Sequence, residues 1–219
     1  MPNGARILDK LGLWEKIECY VEPLAKPVLI YPGAFQVESS YPRVMRKRFH
    51  YPITFIDRQS VLQVLYEGYP CPERIRLSEK VIAIESSDDV VTVITANGET
   101  YKGHIICRGR CTTGPAQSRG KNCSSCIFGI SSPIEGMSPG GQVHVFAPGL
   151  SITTVHGKRG RLYWFLTQKL KRKYIWPDRP RYTDDDMADA AARLDSFRVY
   201  EDVTFGHIWK AREVATMEF

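Results

Sequence analysis

Four of the chain's six cysteines and one of its five histidines crowd the stretch "HIICRGRCTTGPAQSRGKNCSSC" at 104–126. Cys107 and Cys111 form a C-x3-C pair, Cys123 and Cys126 a C-x2-C pair, and 11 residues separate the pairs. Zinc takes four thiolate or imidazole ligands in a tetrahedron, usually as two close pairs held by two loops, so the spacing is admissible and His104 is a possible substitute ligand. The surroundings weigh the other way. Metal-built modules are small and have little core beyond the ion, whereas this stretch follows a well-patterned hairpin inside a larger chain. Cys126 opens the apolar run "CIFGI", where a small half-buried thiol is the common arrangement. A thioredoxin-like redox pair at 123–126 would need a strand before it and a helix after it, and the pattern offers a loop and then a strand. Structural thiols are the expectation, with a zinc module through Cys107, Cys111, Cys123 and Cys126 as a distant alternative.

The elements that must position any site begin with a helix capped by Asn3 and running through Leu11, with Ile7, Leu8 and Leu11 on one face. Residues 19–52 are rich in Pro, Tyr and Ser and predict irregular chain or short strands. The clearest helix is "DRQSVLQVLYEGYP", with Asp57 as cap, Val61, Leu62 and Leu65 as its apolar stripe, and Gly68 and Pro70 ending it. From Lys80 the apolar period falls to two. "KVIAIESS" and "VVTVITANGETYKGHII" predict strands, and Asn97-Gly98 a tight hairpin. "GQVHVFAPGLSITTVHGKRGRLYWFLTQKL" predicts three more, and Thr183 with Asp186 opens a last helix, "DDDMADAAARLDSF". The fold class is mixed α and β with antiparallel sheet prominent.

The 219 residues suffice for a sizeable core, with 43% hydrophobic and 25% charged side chains. The formal charge of +6 is spread over "RVMRKRFH", "GKRGR" and "KLKRKY" rather than gathered in one footprint, which argues against a nucleic-acid partner. No uninterrupted apolar run reaches the roughly 18 residues of a membrane span. The start lacks a signal-peptide pattern, so an intracellular, cytoplasmic protein with reduced thiols is the default expectation. Nothing in the pattern sets an oligomeric state.

Taken together, "MPNGARILDKLGLWEKIE", "YPITFIDRQSVLQVLYEG", "VIAIESSDDVVTVITANGETYKGHII", "CIFGISSPIEGMSPG", "GKRGRLYWFLTQKL" and "FGHIWKAREVATM" resemble FAD-dependent monooxygenases of the para-hydroxybenzoate hydroxylase type. The likeness is greatest to the fungal branch acting on terpenoid and meroterpenoid intermediates. It implies a remnant of a Rossmann-like FAD domain with a β-meander at 1–122 and an antiparallel-sheet substrate domain at 123–219. The implied activity is epoxidation or hydroxylation of a small hydrophobic substrate in secondary metabolism, using FAD, NAD(P)H and O2. By position, Arg58 matches the arginine that contacts the flavin, a task suited to a permanently charged fork of donors. Tyr163 matches a tyrosine facing the substrate cavity, with Arg161 and Trp164 holding weaker claims.

The resemblance also marks departures. The family's G-x-G-x-x-G strand–turn–helix, which meets the cofactor pyrophosphate, is absent from these 219 residues. "CRGRC" stands where the family places a Gly-Ala-Asp-Gly turn, and the later Gly-Asp turn would fall beyond Phe219. The implication is a chain shortened at both ends relative to the family, binding FAD weakly or not at all. A catalytically inactive relative that binds a ligand or partner, or has no function, is the alternative.

Overall fold

The computed structural model describes residues 2–87, 89–107, 121–175 and 180–218, without the side chains of 121–123 and 175. Helices α1 (Pro2–Lys10) and α2 (Trp14–Glu18) lead into strands β1 (Lys26–Tyr31) and β2 (Phe35–Glu38). Then come α3 (Tyr41–Phe49), α4 (Arg58–Glu67) and strands β3 (Val81–Ser86), β4 (Val91–Thr95) and β5 (Thr100–Gly103). Four long strands follow: β6 (Lys121–Ser131), β7 (Gly141–Ala147), β8 (Leu150–His156) and β9 (Leu162–Ile175). The chain finishes with α5 (Asp184–Ala192), β10 (Arg198–Tyr200), β11 (Val203–Thr204), α6 (Phe205–Lys210) and β12 (Arg212–Glu218). It divides into two compact units, Met1–Leu65 with Arg119–Phe219, and Tyr66–Ser118.

The smaller unit is an antiparallel meander, β3-β4-β5. Its β4–β5 turn uses Asn97-Gly98 as expected: Gly98 sits at φ +87°, and the Asn97 side chain receives a bond from the Thr95 hydroxyl. The larger unit is organised by a seven-stranded sheet in the order β12-β6-β9-β8-β7-β1-β2. It is mixed rather than purely antiparallel, because β1 runs parallel to β7, with Val28 beside Val143 and Ile30 beside Val145.

Side chains alternate between the faces of a strand, so the register fixes what each face carries. The inner face presents Ile127, Val143, Val145, Ile152, Leu162, Trp164 and Leu166, all buried beneath Met187 and Ala190 of α5 and Phe205 and Ile208 of α6. Trp164 is fully buried; its indole N–H donates to Ser131 Oγ at 2.9 Å, and that hydroxyl donates to the Ile208 carbonyl at 2.8 Å. Gly129 makes room for the ring, since a Cβ there would lie 2.4 Å from Trp164 Cζ2. α5 opens with the expected reciprocal cap, Asp186 N–H bonding the Thr183 hydroxyl and the Asp186 carboxylate receiving the Thr183 N–H at 2.8 Å.

Several local readings differ. Residues 41–49 form α3 rather than irregular chain, with Pro42 in its first turn and His50 closing it in the left-handed region. Asn3 lies inside α1, not at its cap. Ile7 and Leu11 are each 59% exposed, and α1 packs instead through Ala5 and Leu8. In α4 the buried residue is Val64, while Leu62 and Leu65 are exposed. No helix among the described residues is long and apolar enough to cross a membrane.

Candidate functional site

The outer face of the large sheet carries Tyr163. Strand pairing aligns Ile130, Tyr163, Val155 and Gln142 in one row and Phe128, Phe165, Thr153 and His144 in the next. One end of this face is roofed. Leu24 and Ile53 bury against Val155, with Met45 of α3, Phe55 and Tyr163 packed around them. The Tyr163 phenol is half-buried there, and that burial raises its pKa above the ordinary value; Arg161 and a backbone hydrogen bond from Asp57 work in the opposite direction. The phenol therefore stays protonated at neutral pH, a hydrogen-bond donor at the margin of an apolar wall.

Asp57 connects this tyrosine to α4. Its Oδ1 accepts the Ser60 N–H and its Oδ2 the Ser60 hydroxyl, both at 2.8 Å, which satisfies donors at the helix start. Arg161 then ties three elements together. Its Nη1 donates to Asp57 Oδ2 at 3.4 Å, while Nη2 and Nε reach Glu213 Oε2 at 2.6 and 3.1 Å. Partial burial alone would raise the Asp57 pKa; the Ser60 N–H and hydroxyl and the Arg161 charge outweigh it and hold the carboxyl below its ordinary value. Arg58 is the first residue of α4, exposed, and without an ion-pair or hydrogen-bond partner among the described residues. Thus Arg58 and Tyr163, 105 positions apart in sequence, are related through Asp57, next to the first, and Arg161, two positions before the second, which bind each other. Trp164 points into the opposite face and takes no part.

The other end of the outer face is aromatic. Tyr31 stacks on Phe146 with centroids 5.0 Å apart, and His144 stacks on Phe146 at 4.0 Å. Phe128 and Phe165 lie 6.5 Å apart. Phe165 is 38% exposed and Phe35, on the edge strand β2, 64%. Burial lowers the His144 pKa and favours the uncharged ring, so these rows present an uncharged surface. Cys126 shares this face, half-buried, with the Thr167 hydroxyl 3.9 Å from its sulfur. Cys107 is exposed. Cys111 and the Cys123 side chain lie outside the described residues, and among the described residues no group of three or more His, Cys, Asp or Glu could hold a metal.

Arg58, exposed at the start of α4, is the residue that the family resemblance relates to FAD. The described residues contain no glycine-rich strand–turn–helix, and the strands of the smaller unit form an antiparallel meander. This set does not by itself cradle a pyrophosphate.

The comparisons with known proteins can be placed on this geometry. The chain is 46% identical over 228 residues to FAD-dependent monooxygenase janM of Penicillium janthinellum, covering 99% of this chain and 48% of that protein. It is 44% identical over 237 residues to FAD-dependent monooxygenase paxM of Penicillium paxilli, covering 99% of this chain and 50% of that protein. The chain thus spans about half the length of the curated relatives it matches. Among solved structures, p-nitrophenol 4-monooxygenase PnpA of Pseudomonas putida matches all of this chain and 56% of that chain, with a TM-score of 0.73 at 17% identity. Klebsiella pneumoniae HpxO complexed with FAD and uric acid matches 88% of this chain and 50% of that chain, with a TM-score of 0.68 at 16% identity. No protein-family model matches.

Proposed function

The chain belongs to the FAD-dependent monooxygenases, by homology along 99% of its length, and on that premise we propose that it forms the substrate wall of an enzyme that oxygenates a neutral hydrophobic, prenylated or terpenoid molecule. The observation that carries this reading is the outer sheet face: aromatic and uncharged at one end, with a protonated Tyr163 phenol and the start of α4 at the other. An apolar substrate laid on Phe128, Phe146 and Phe165 gains contact area and ring stacking. Tyr163 donates a hydrogen bond to a polar group of that substrate and fixes its orientation. Arg161 holds Tyr163 and the α4 start in register, and Arg58 presents a fixed charge to an anionic or carbonyl group of the flavin. FAD, reduced by NAD(P)H and reacting with O2, would supply the oxygen-transfer chemistry, while the protein supplies position and shielding. In this proposal 1–122 derive from the flavin domain and 123–219 from the substrate domain.

A second reading is favoured by a specific observation, the "CRGRC" at 107–111 where the resemblance places a Gly-Ala-Asp-Gly turn. It holds that the chain binds the hydrophobic ligand without turning it over. Titrating the purified chain with FAD, followed by flavin fluorescence quenching, separates the two. Saturable one-to-one binding that weakens in Arg58→Ala supports the enzyme. No binding at high cofactor concentration supports the ligand-binding relative.

A further inference from the structure

Helix α3 carries Arg43, Arg46, Lys47 and Arg48 in nine residues, with no acidic residue. All four are exposed, and none has an ion-pair or hydrogen-bond partner among the described residues; Arg48 lies over the Phe49 ring at 5.6 Å. Pro42 and Met45 turn toward the body of the unit, which sets Arg43, Val44, Lys47 and Arg48 outward at the helical repeat. The macrodipole accounts for cations in a last turn. It does not account for Arg43 near the start, nor for a lack of any counter-charge. Nor are these cations alone on their surface: Val44, between them on the outward face, is 55% exposed.

We propose that α3 is a membrane-docking element, which seats the protein on an anionic phospholipid leaflet. Charge alone would suit any polyanion. The interleaved Val44 selects a partner with apolar depth beneath its negative heads, which a bilayer has and a nucleic acid backbone lacks. The anchoring of α3 fits the same role. The Tyr41 hydroxyl donates to Gln142 Oε1 at 2.7 Å, and Met45 packs against the cluster of Leu24, Ile53 and Val155, so the docked helix lies over the roofed end of the outer sheet face. A hydrophobic substrate partitioned into the leaflet would enter beside that roof. The docking itself does not depend on the monooxygenase reading, because it needs neither flavin nor substrate.

The test is co-sedimentation of the purified chain with phosphatidylcholine vesicles, with and without phosphatidylserine. The chain should pellet with phosphatidylserine vesicles, and elute in high salt as screening shortens to a few ångströms. Each basic side chain near such a surface contributes about a fivefold change in partitioning, so R43Q/K47Q/R48Q should weaken it about 100-fold. Val44→Ser should weaken it further without altering the salt dependence. Unchanged circular dichroism and melting temperature would show that the variants fold. Absence of pelleting, equal pelleting with neutral vesicles, or full binding by the triple variant would overturn the proposal. So would equal affinity for duplex DNA, which would assign the helix to polyanions generally.

Discussion

Replacing Arg161 by glutamine removes the cation shared by Asp57 and Glu213 and leaves a neutral side chain of similar reach. At 3.4 Å and an effective dielectric of about 20, the attraction to Asp57 alone is about 5 kcal/mol. Most of that is offset by desolvation, and the Glu213 pair, both partners 38% exposed, contributes no more than about 1 kcal/mol. Asp57 is only 16% exposed and keeps its Ser60 bonds, so the expected net loss is about 1–2 kcal/mol at pH 7. The pH dependence carries a definite sign. Asp57 has a depressed pKa when folded, so its contribution is full above the unfolded value near 4 and is lost as pH falls through the folded one. Urea denaturation of wild type and Arg161→Gln should therefore show a gap at pH 7 that narrows below pH 4. Arg161→Lys, which keeps the charge without the fork, should recover part of it. Equal stability at pH 7, or a gap unchanged at low pH, would refute the account of Arg161 as the tie between α4 and β9.

Other expectations are as definite. Ser131→Ala strips a partner from two buried groups, the Trp164 indole and the Ile208 carbonyl, and should cost about 2–4 kcal/mol in urea unfolding without changing the m-value. His156 is buried, with Nδ1 donating to the Ser138 carbonyl at 2.9 Å; burial lowers its pKa more than that bond raises it. Stability should then be greatest above about pH 6.5, fall as the pH drops through the lowered value, and vary less steeply in His156→Gln. Thr183→Ala removes half of the α5 capping box and should cost about 1 kcal/mol, read as a shift in urea midpoint.

Local chemistry made part of this structure readable from sequence. Asp57, Thr183 with Asp186, and Asn97-Gly98 act within a few residues of themselves, so their types alone announced two helix starts and a hairpin. Helix α3 was hidden because five of its nine residues are proline or cationic, leaving no apolar period of helical length. The stripe in α4 is ambiguous in sequence because Val61, Leu62, Val64 and Leu65 mark two possible faces, and only tertiary packing against α1 and α2 selects Val64. The parallel β1–β7 pairing joins residues more than a hundred positions apart, beyond any local signal. The site shows the same division. Arg58 and Tyr163 entered through family resemblance, whereas the Asp57–Arg161–Glu213 link that relates them had only one sequence trace: a carboxylate beside one residue and a guanidinium two positions from the other. The uncharged aromatic rows became visible once register put Phe128, Phe165 and His144 side by side.

The most direct test of the central claim is calorimetric titration of the chain with a neutral prenylated aromatic probe, comparing wild type with Phe165→Asp. Phe165 is partly exposed on the outer face, so the substitution spares the core while placing a carboxylate in the proposed substrate wall. The account predicts saturable one-to-one binding by wild type and at least a tenfold loss in the variant, from lost stacking and the cost of burying a charge. Binding unaffected by Phe165→Asp, or no binding by a folded wild-type chain, would contradict it.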